Sequence, residues 1–86
     1  MKLKEGFILR TVAGETVALP TDGLTNFDMM ITLNDTGRFL WEKLTVGAEK
    51  EELVEALLGE YDVSREIAES SVDAFVNRLK ELDFLA

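Results

Sequence analysis

Leu33-Asn34-Asp35-Thr36-Gly37-Arg38-Phe39-Leu40-Trp41-Glu42-Lys43-Leu44 changes its hydrophobic period from two to about 3.6 at a single asparagine. Strands are therefore expected before it and helices after it. On the strand side Met29, Ile31 and Leu33 alternate with Met30 and Thr32, which suits a half-buried strand. Asn34 ends that ladder. Its side-chain oxygen is placed to accept a hydrogen bond from the Thr36 or Gly37 amide, and Asp35 adds negative charge where the helix dipole is positive. Leu40, Trp41 and Leu44 then recur at i, i+1 and i+4, which makes one apolar stripe.

Toward the N-terminus, Gly6 and Gly14 bracket a strand over Phe7–Val12 that is rich in β-branched and aromatic residues. Ala13-Gly14 is the expected hairpin turn, with Gly14 free to take a positive φ. The return strand covers Glu15–Leu19, and Pro20 closes it because proline has no amide to donate. After a polar connection through Thr21, Asp22, Gly23 and Asn26, a third strand is expected from about Phe27 to Leu33.

Toward the C-terminus, Thr45-Val46-Gly47 breaks the first helix, with Gly47 as terminator. A second helix is predicted from Ala48 or Glu49 to Glu60, with Leu53, Leu57 and Leu58 on the core side and Tyr61 and Val63 beyond it. Ser64 caps a third, running from about Arg65 to Leu82. Its apolar line is Ile67, Ser71, Phe75, Leu79 and Leu82, with Ala68, Val72 and Val76 beside it. Phe84 and Leu85 are expected to fold back. Together these elements make one α+β domain over residues 1–86, an N-terminal three-stranded antiparallel sheet followed by three helices. A winged helix-turn-helix shares that layout.

Composition excludes several kinds of chemistry. The 86 residues include no cysteine, which removes disulfides, thiolate catalysis and cysteine-ligated metal. With no histidine, the usual general base near neutral pH and the commonest zinc ligand are missing. The net charge of −8 is concentrated after Trp41, and no basic stripe suits a phosphate backbone, so nucleic acid is not expected as a partner. No apolar run approaches the roughly 20 residues that span a bilayer, and Met1-Lys2-Leu3-Lys4-Glu5-Gly6 lacks the apolar core of a signal peptide. The expectation is a cytoplasmic protein without a membrane partner. Glu51, Glu52 and Glu55, and again Glu66, Glu69 and Asp73, each lie within about one helical turn; such clusters are routine on solvated helix faces. The glycines are scattered at element ends and form no phosphate-binding loop. No catalytic residue, metal site or cofactor is assigned.

Binding through backbone needs less. If the third strand is an edge, its free amides and carbonyls can accept an extended peptide as a fourth strand; the alternative is a strand that is central or covered. Phe27, Asp28, Met29, Met30, Ile31 and Thr32 carry no protective lysine or proline. Proline at Met30 or Ile31 should then abolish binding. The third helix offers a second wall: winding at about 100° per residue puts Arg78 beside Ile67, Ser71 and Ala74. Arg78 would anchor a carboxylate there, or else pair with Asp73 or Glu81. Val72 and Val76 form the opposite margin, and either margin could line the groove.

Leu33, Asn34, Thr36, Gly37, Leu40 and Trp41, in that order, resemble the signature of the PqqD-like family. The resemblance extends from Phe7 to Leu85 through Glu60-Tyr61-Asp62-Val63, Val72, Phe75, Leu79 and the hydrophobic end at Leu82–Leu85. Gly37 stands where alanine is more usual, and Ser71 where the family tends to have an acid. The resemblance implies a winged-helix-like domain that binds the leader of a ribosomally made precursor peptide. In that family the leader adds to the third strand, packs against the third helix and is presented to a modifying enzyme, often a radical S-adenosylmethionine protein with iron–sulfur clusters. On that basis Phe27, Asp28, Met29, Met30, Ile31, Thr32, Ile67, Ser71, Ala74 and Arg78 are the expected peptide-binding residues. Asn34, Leu40 and Trp41 would be scaffold. A winged-helix DNA regulator and a dimerisation module that uses the same edge, as a homodimer, are the alternatives.

Overall fold

Three strands and then three helices follow one another in the order the periodicity predicts: β1 (Phe7–Val12), β2 (Glu15–Pro20), β3 (Ile31–Leu33), α1 (Asp35–Val46), α2 (Lys50–Glu60) and α3 (Arg65–Glu81). The computed structural model describes residues 1–21 and 31–86. Ala13 (φ 54°) and Gly14 (φ 83°) both take positive φ, as a tight hairpin requires to match the strand twist. β1 and β2 pair antiparallel from Val12↔Glu15 to Phe7↔Pro20. Pro20 thus belongs to β2, one residue further than expected, because at a strand end only its missing amide is lost from the ladder. β3 pairs with β2 through Thr16↔Leu33, Val17↔Thr32 and Ala18↔Ile31. The sheet order is β1-β2-β3, so the outer side of β3 is unpaired among the described residues. The expected start of this strand, at Phe27, lies outside them. The architecture is α+β and winged-helix-like.

Local chemistry sets the helix ends. The Gly37 amide donates to Asn34 Oδ1 at 2.7 Å and opens α1, and Gly47 (φ 113°) closes it by donating to the Lys43 carbonyl at 3.0 Å. The Glu49 amide donates to the Glu52 carboxylate at 3.0 Å ahead of α2, and the Ile67 amide donates to Ser64 Oγ at 3.2 Å at the start of α3. α1 buries Leu40, Trp41 and Leu44 as expected. α2 buries Val54 in addition to Leu53 and Leu57, and leaves Leu58 half-buried, because it packs on both α1 and α3 and its apolar arc widens accordingly. In α3 the core line is Ala68, Val72, Val76 and Leu79, while Ser71 and Phe75 are half-buried and Ile67 is exposed.

Gly59 lies in the last turn of α2, where an added Cβ would meet open space and φ is not in the left-handed region. Gly59→Ala should therefore stabilise the domain by about 0.4–1 kcal/mol, chiefly by restricting the unfolded chain. A thermal melt would show this as a Tm several degrees higher.

The chain closes through its tails. Asp83 (φ 61°) reverses the backbone after α3, with Phe84 N–H donating to the Leu79 carbonyl at 2.9 Å and Asp83 N–H to the Lys80 carbonyl at 3.1 Å. That turn throws Phe84 into the core, where its ring lies 4.4 Å from Phe7 and 6.2 Å from Trp41. Leu3, which no sequence period singles out, is also buried; it bridges Leu85 and donates its amide to the Leu44 carbonyl at 3.0 Å.

Candidate functional site

Between β3 and α3 the surface opens into a groove of about 790 Å³. One wall is the end of β3, Thr32 and Leu33, with Gly14, Glu15 and Thr16 of the β1–β2 hairpin beside it. Ile31 and Leu33 are buried and Thr32 between them is exposed, so the side chains alternate between core and solvent. The opposite wall is α3, which presents Ser71, Ala74 and Arg78 at i, i+3 and i+7, one face of a helix. Leu33, Leu40 and Phe75 make an apolar floor, with Gly37, buried in the first turn of α1, beside it.

The fold thus brings Thr32, Ser71, Ala74 and Arg78 together in one cleft. The Ile31 side chain belongs to the core, and its contribution to an edge is through backbone. Ile67, 55% exposed, lies one turn before Ser71 and lines a shallower depression with Glu66, Ser71 and Asp73. Phe27, Asp28, Met29 and Met30 lie outside the described residues. Val72 and Val76 are buried, which decides the margin of α3 that faces the groove: the small residues and Arg78 line it, and the valines hold the helix to the core. Gly37, Leu40 and Phe75 line the groove in addition to the expected site residues. A glycine inside a helical pattern, at a position that would favour a better helix former, was the available signal for the first of them.

The charged residues lining the groove are Glu15, Asp35 and Arg78. Arg78 Nη1 lies 3.7 Å from the Glu81 carboxylate, with the two side chains 58% and 71% exposed. A pair this open to water is weak and leaves the guanidinium able to engage another carboxylate. Four acids of the clusters on α2 and α3 pair with basic residues. Arg65 reaches Glu55 at 3.0 Å, Glu51 at 3.5 Å and Glu69 at 3.6 Å, and Lys50 meets Asp73 at 2.9 Å. The hydrogen bond from Lys50 to Asp73, and the Asp73 charge, hold the Lys50 ammonium above the ordinary lysine range. These carboxylates are a salt-bridged surface joining α2 to α3. Among the described residues no group of three or more acids is arranged to hold a metal ion, and no helix is long and apolar enough to cross a membrane.

The family model for coenzyme PQQ synthesis protein D (PqqD) matches residues 7–85. Two solved structures share the fold over nearly all of the chain. One is TbiB1 in complex with the TbiA(beta) leader peptide, 26% identical, covering 99% of this chain and 94% of that one with a TM-score of 0.76. The other is a lasso peptide synthetase B1 complexed with the leader peptide, also 26% identical, covering 93% of this chain and 89% of that one with a TM-score of 0.71. No curated protein matches the chain.

Proposed function

Because the chain belongs to the PqqD family, we propose that residues 1–86 act as one peptide-binding domain that captures the leader of a ribosomally synthesised precursor and presents it to a modifying enzyme. The observation that carries this function is the groove in which the end of β3, unpaired on its outer side among the described residues, lies with Ser71, Ala74 and Arg78 of α3 around an apolar floor. An extended segment laid there gains backbone hydrogen bonds from β3 and side-chain contacts from α3. Both similar structures hold a leader peptide, which supports the same occupant here. The domain supplies binding and no chemistry of its own, in keeping with a chain that has neither histidine nor cysteine. The reacting groups then belong to the partner enzyme, of which a radical S-adenosylmethionine protein is one class. That work belongs in the cytoplasm, where the ribosome makes the precursor.

The test is a titration of the isotopically labelled protein with the leader of the precursor encoded beside its gene, followed by amide chemical shifts. Saturable shifts confined to the β3 segment and to the Ser71–Arg78 face of α3 are expected. A folded protein that shows none has another function, and a mass that doubles with concentration would point to a homodimer on the same edge. Arg78→Glu should weaken a leader with an acidic residue near that end of the groove by about three- to tenfold at low salt, and less at high salt. Equal loss for leaders lacking the acid would instead indicate general damage to the groove.

A further inference from the structure

Of the large apolar side chains exposed among the described residues, Val46 is the most open to solvent, at 82%. It stands in the last turn of α1, where a β-branched side chain forms helix less well than a lysine and forgoes a lysine's attraction to the negative end of the helix dipole. Stability of the isolated domain does not account for a valine there. Phe39, Lys43 and Val46 lie at i, i+4 and i+7 on one face of α1, and that face borders a trough of about 420 Å³ against α2. Its apolar lining comes from Phe39, Val46, Leu53 and two alanines, Ala48 and Ala56, whose short side chains leave the space between the helices open. No described residue lines both this trough and the groove beside β3. α1 separates the two, with Gly37 and Leu40 toward one and Phe39, Lys43 and Val46 toward the other.

The charges on the rim of the trough already have partners within the domain. Glu42 meets Arg38 at 3.5 Å, the Glu52 carboxylate accepts the Glu49 amide at 3.0 Å, and the Lys43 ammonium lies 5.3 Å from the centre of the Phe39 ring. An occupant therefore gains most from apolar contact along the middle. Around that middle the field is negative: from Glu49 to Glu60 the chain carries Glu49, Glu51, Glu52, Glu55 and Glu60 against Lys50 alone. A second copy is disfavoured, because each brings a net charge of −8 and a two-fold contact would set these acids against themselves. A trough between two helices is suited to a third helix packed into it. We propose that the α1–α2 trough docks the modifying enzyme, through an amphipathic helix of that enzyme which lays branched aliphatic or aromatic residues along Phe39, Val46 and Ala56 and flanks them with lysine or arginine. The inference rests on the presenting role proposed above and gives it a geometry: leader and enzyme use different faces of α1 and are held at once.

The test uses the full chain, the synthetic leader and the purified modifying enzyme encoded beside the gene, with binding to each measured separately. Val46→Lys removes the apolar contact and repels a basic helix, and should leave the thermal melt unchanged or slightly higher. It should weaken the enzyme about tenfold or more while leader affinity stays within about twofold. Val46→Glu should cost less, because its charge attracts the flanking bases, and the gap between the two variants should shrink at high salt. Ala56→Gln, which fills the trough from α2 with a good helix former, should also weaken the enzyme. Wild-type and Val46→Lys chains that bind the enzyme alike overturn the docking face, as does a wild-type chain that does not bind it with or without leader. A larger loss for Val46→Glu than for Val46→Lys overturns the basic helix, and an equal loss of leader affinity overturns the separation of the two faces. A wild-type mass that doubles with concentration, when Val46→Lys stays monomeric, puts a second copy in the trough instead. If the leader fails to bind while Val46→Lys still loses the enzyme, leader capture falls and the docking face stands.

Discussion

Phe84→Ala is expected to lower the unfolding free energy by about 3–5 kcal/mol, the upper range for truncating a buried side chain. Phe84 is fully buried, and it packs where the C-terminal tail, β1 and α1 meet. Its ring lies 4.4 Å from Phe7 and 6.2 Å, edge-on, from Trp41, and Phe7 and Trp41 are themselves edge-to-face at 5.7 Å. Removing it leaves a cavity bounded by two other rings that are held by their own backbones, so collapse around it is incomplete. A domain of 86 residues has a total stability of only about 4–13 kcal/mol, and the variant should lose most of its native baseline in urea. A loss below about 1 kcal/mol would mean that the tail does not seal the core.

On the binding side, the largest effect is expected from altering the peptide and leaving the protein intact. In a strand added to β3, every second leader amide points at the β3 edge and the others point away. N-methylation of an amide that faces the edge removes a donor and puts a methyl into the ladder, at a cost of about tenfold or more in affinity; at an amide that faces away the cost should be under about twofold. Affinities measured across a series of singly methylated leaders should therefore alternate along the segment that lies on β3. A profile with no period of two would rule out strand addition and leave a side-chain-only groove. Because the protein is the same throughout, misfolding does not compete as an explanation.

Those two expectations draw on different kinds of legibility. The strand-to-helix switch at Asn34, the cap at Ser64, the Ala13-Gly14 hairpin and the stop at Gly47 were readable because each is decided by groups within about four residues of one another. Arg78, Ser71 and Ala74 could be put on one helix face by counting turns, and the structure agrees that they share a face. Turn-counting could not say whether that margin or the Val72–Val76 margin met the core, since both were compatible with an apolar stripe. Nor did it find Val54, whose burial depends on α2 touching two neighbours at once, or Leu3, which the bridge to Leu85 and the hydrogen bond to the Leu44 carbonyl hold in place.

What the chain determined alone was therefore its list of elements, their order and ends, and the absence of side chains for histidine- or cysteine-based chemistry. Only the tertiary structure decided that β3 pairs on one side alone among the described residues, and that Gly37, Leu40 and Phe75 line one groove with Thr32 and with Ser71, Ala74 and Arg78 of α3. Caps and periods arise from contacts within one turn, which sequence spacing encodes directly. A groove arises from the packing of elements far apart in the chain, and its shape appears only when the whole core has chosen one arrangement.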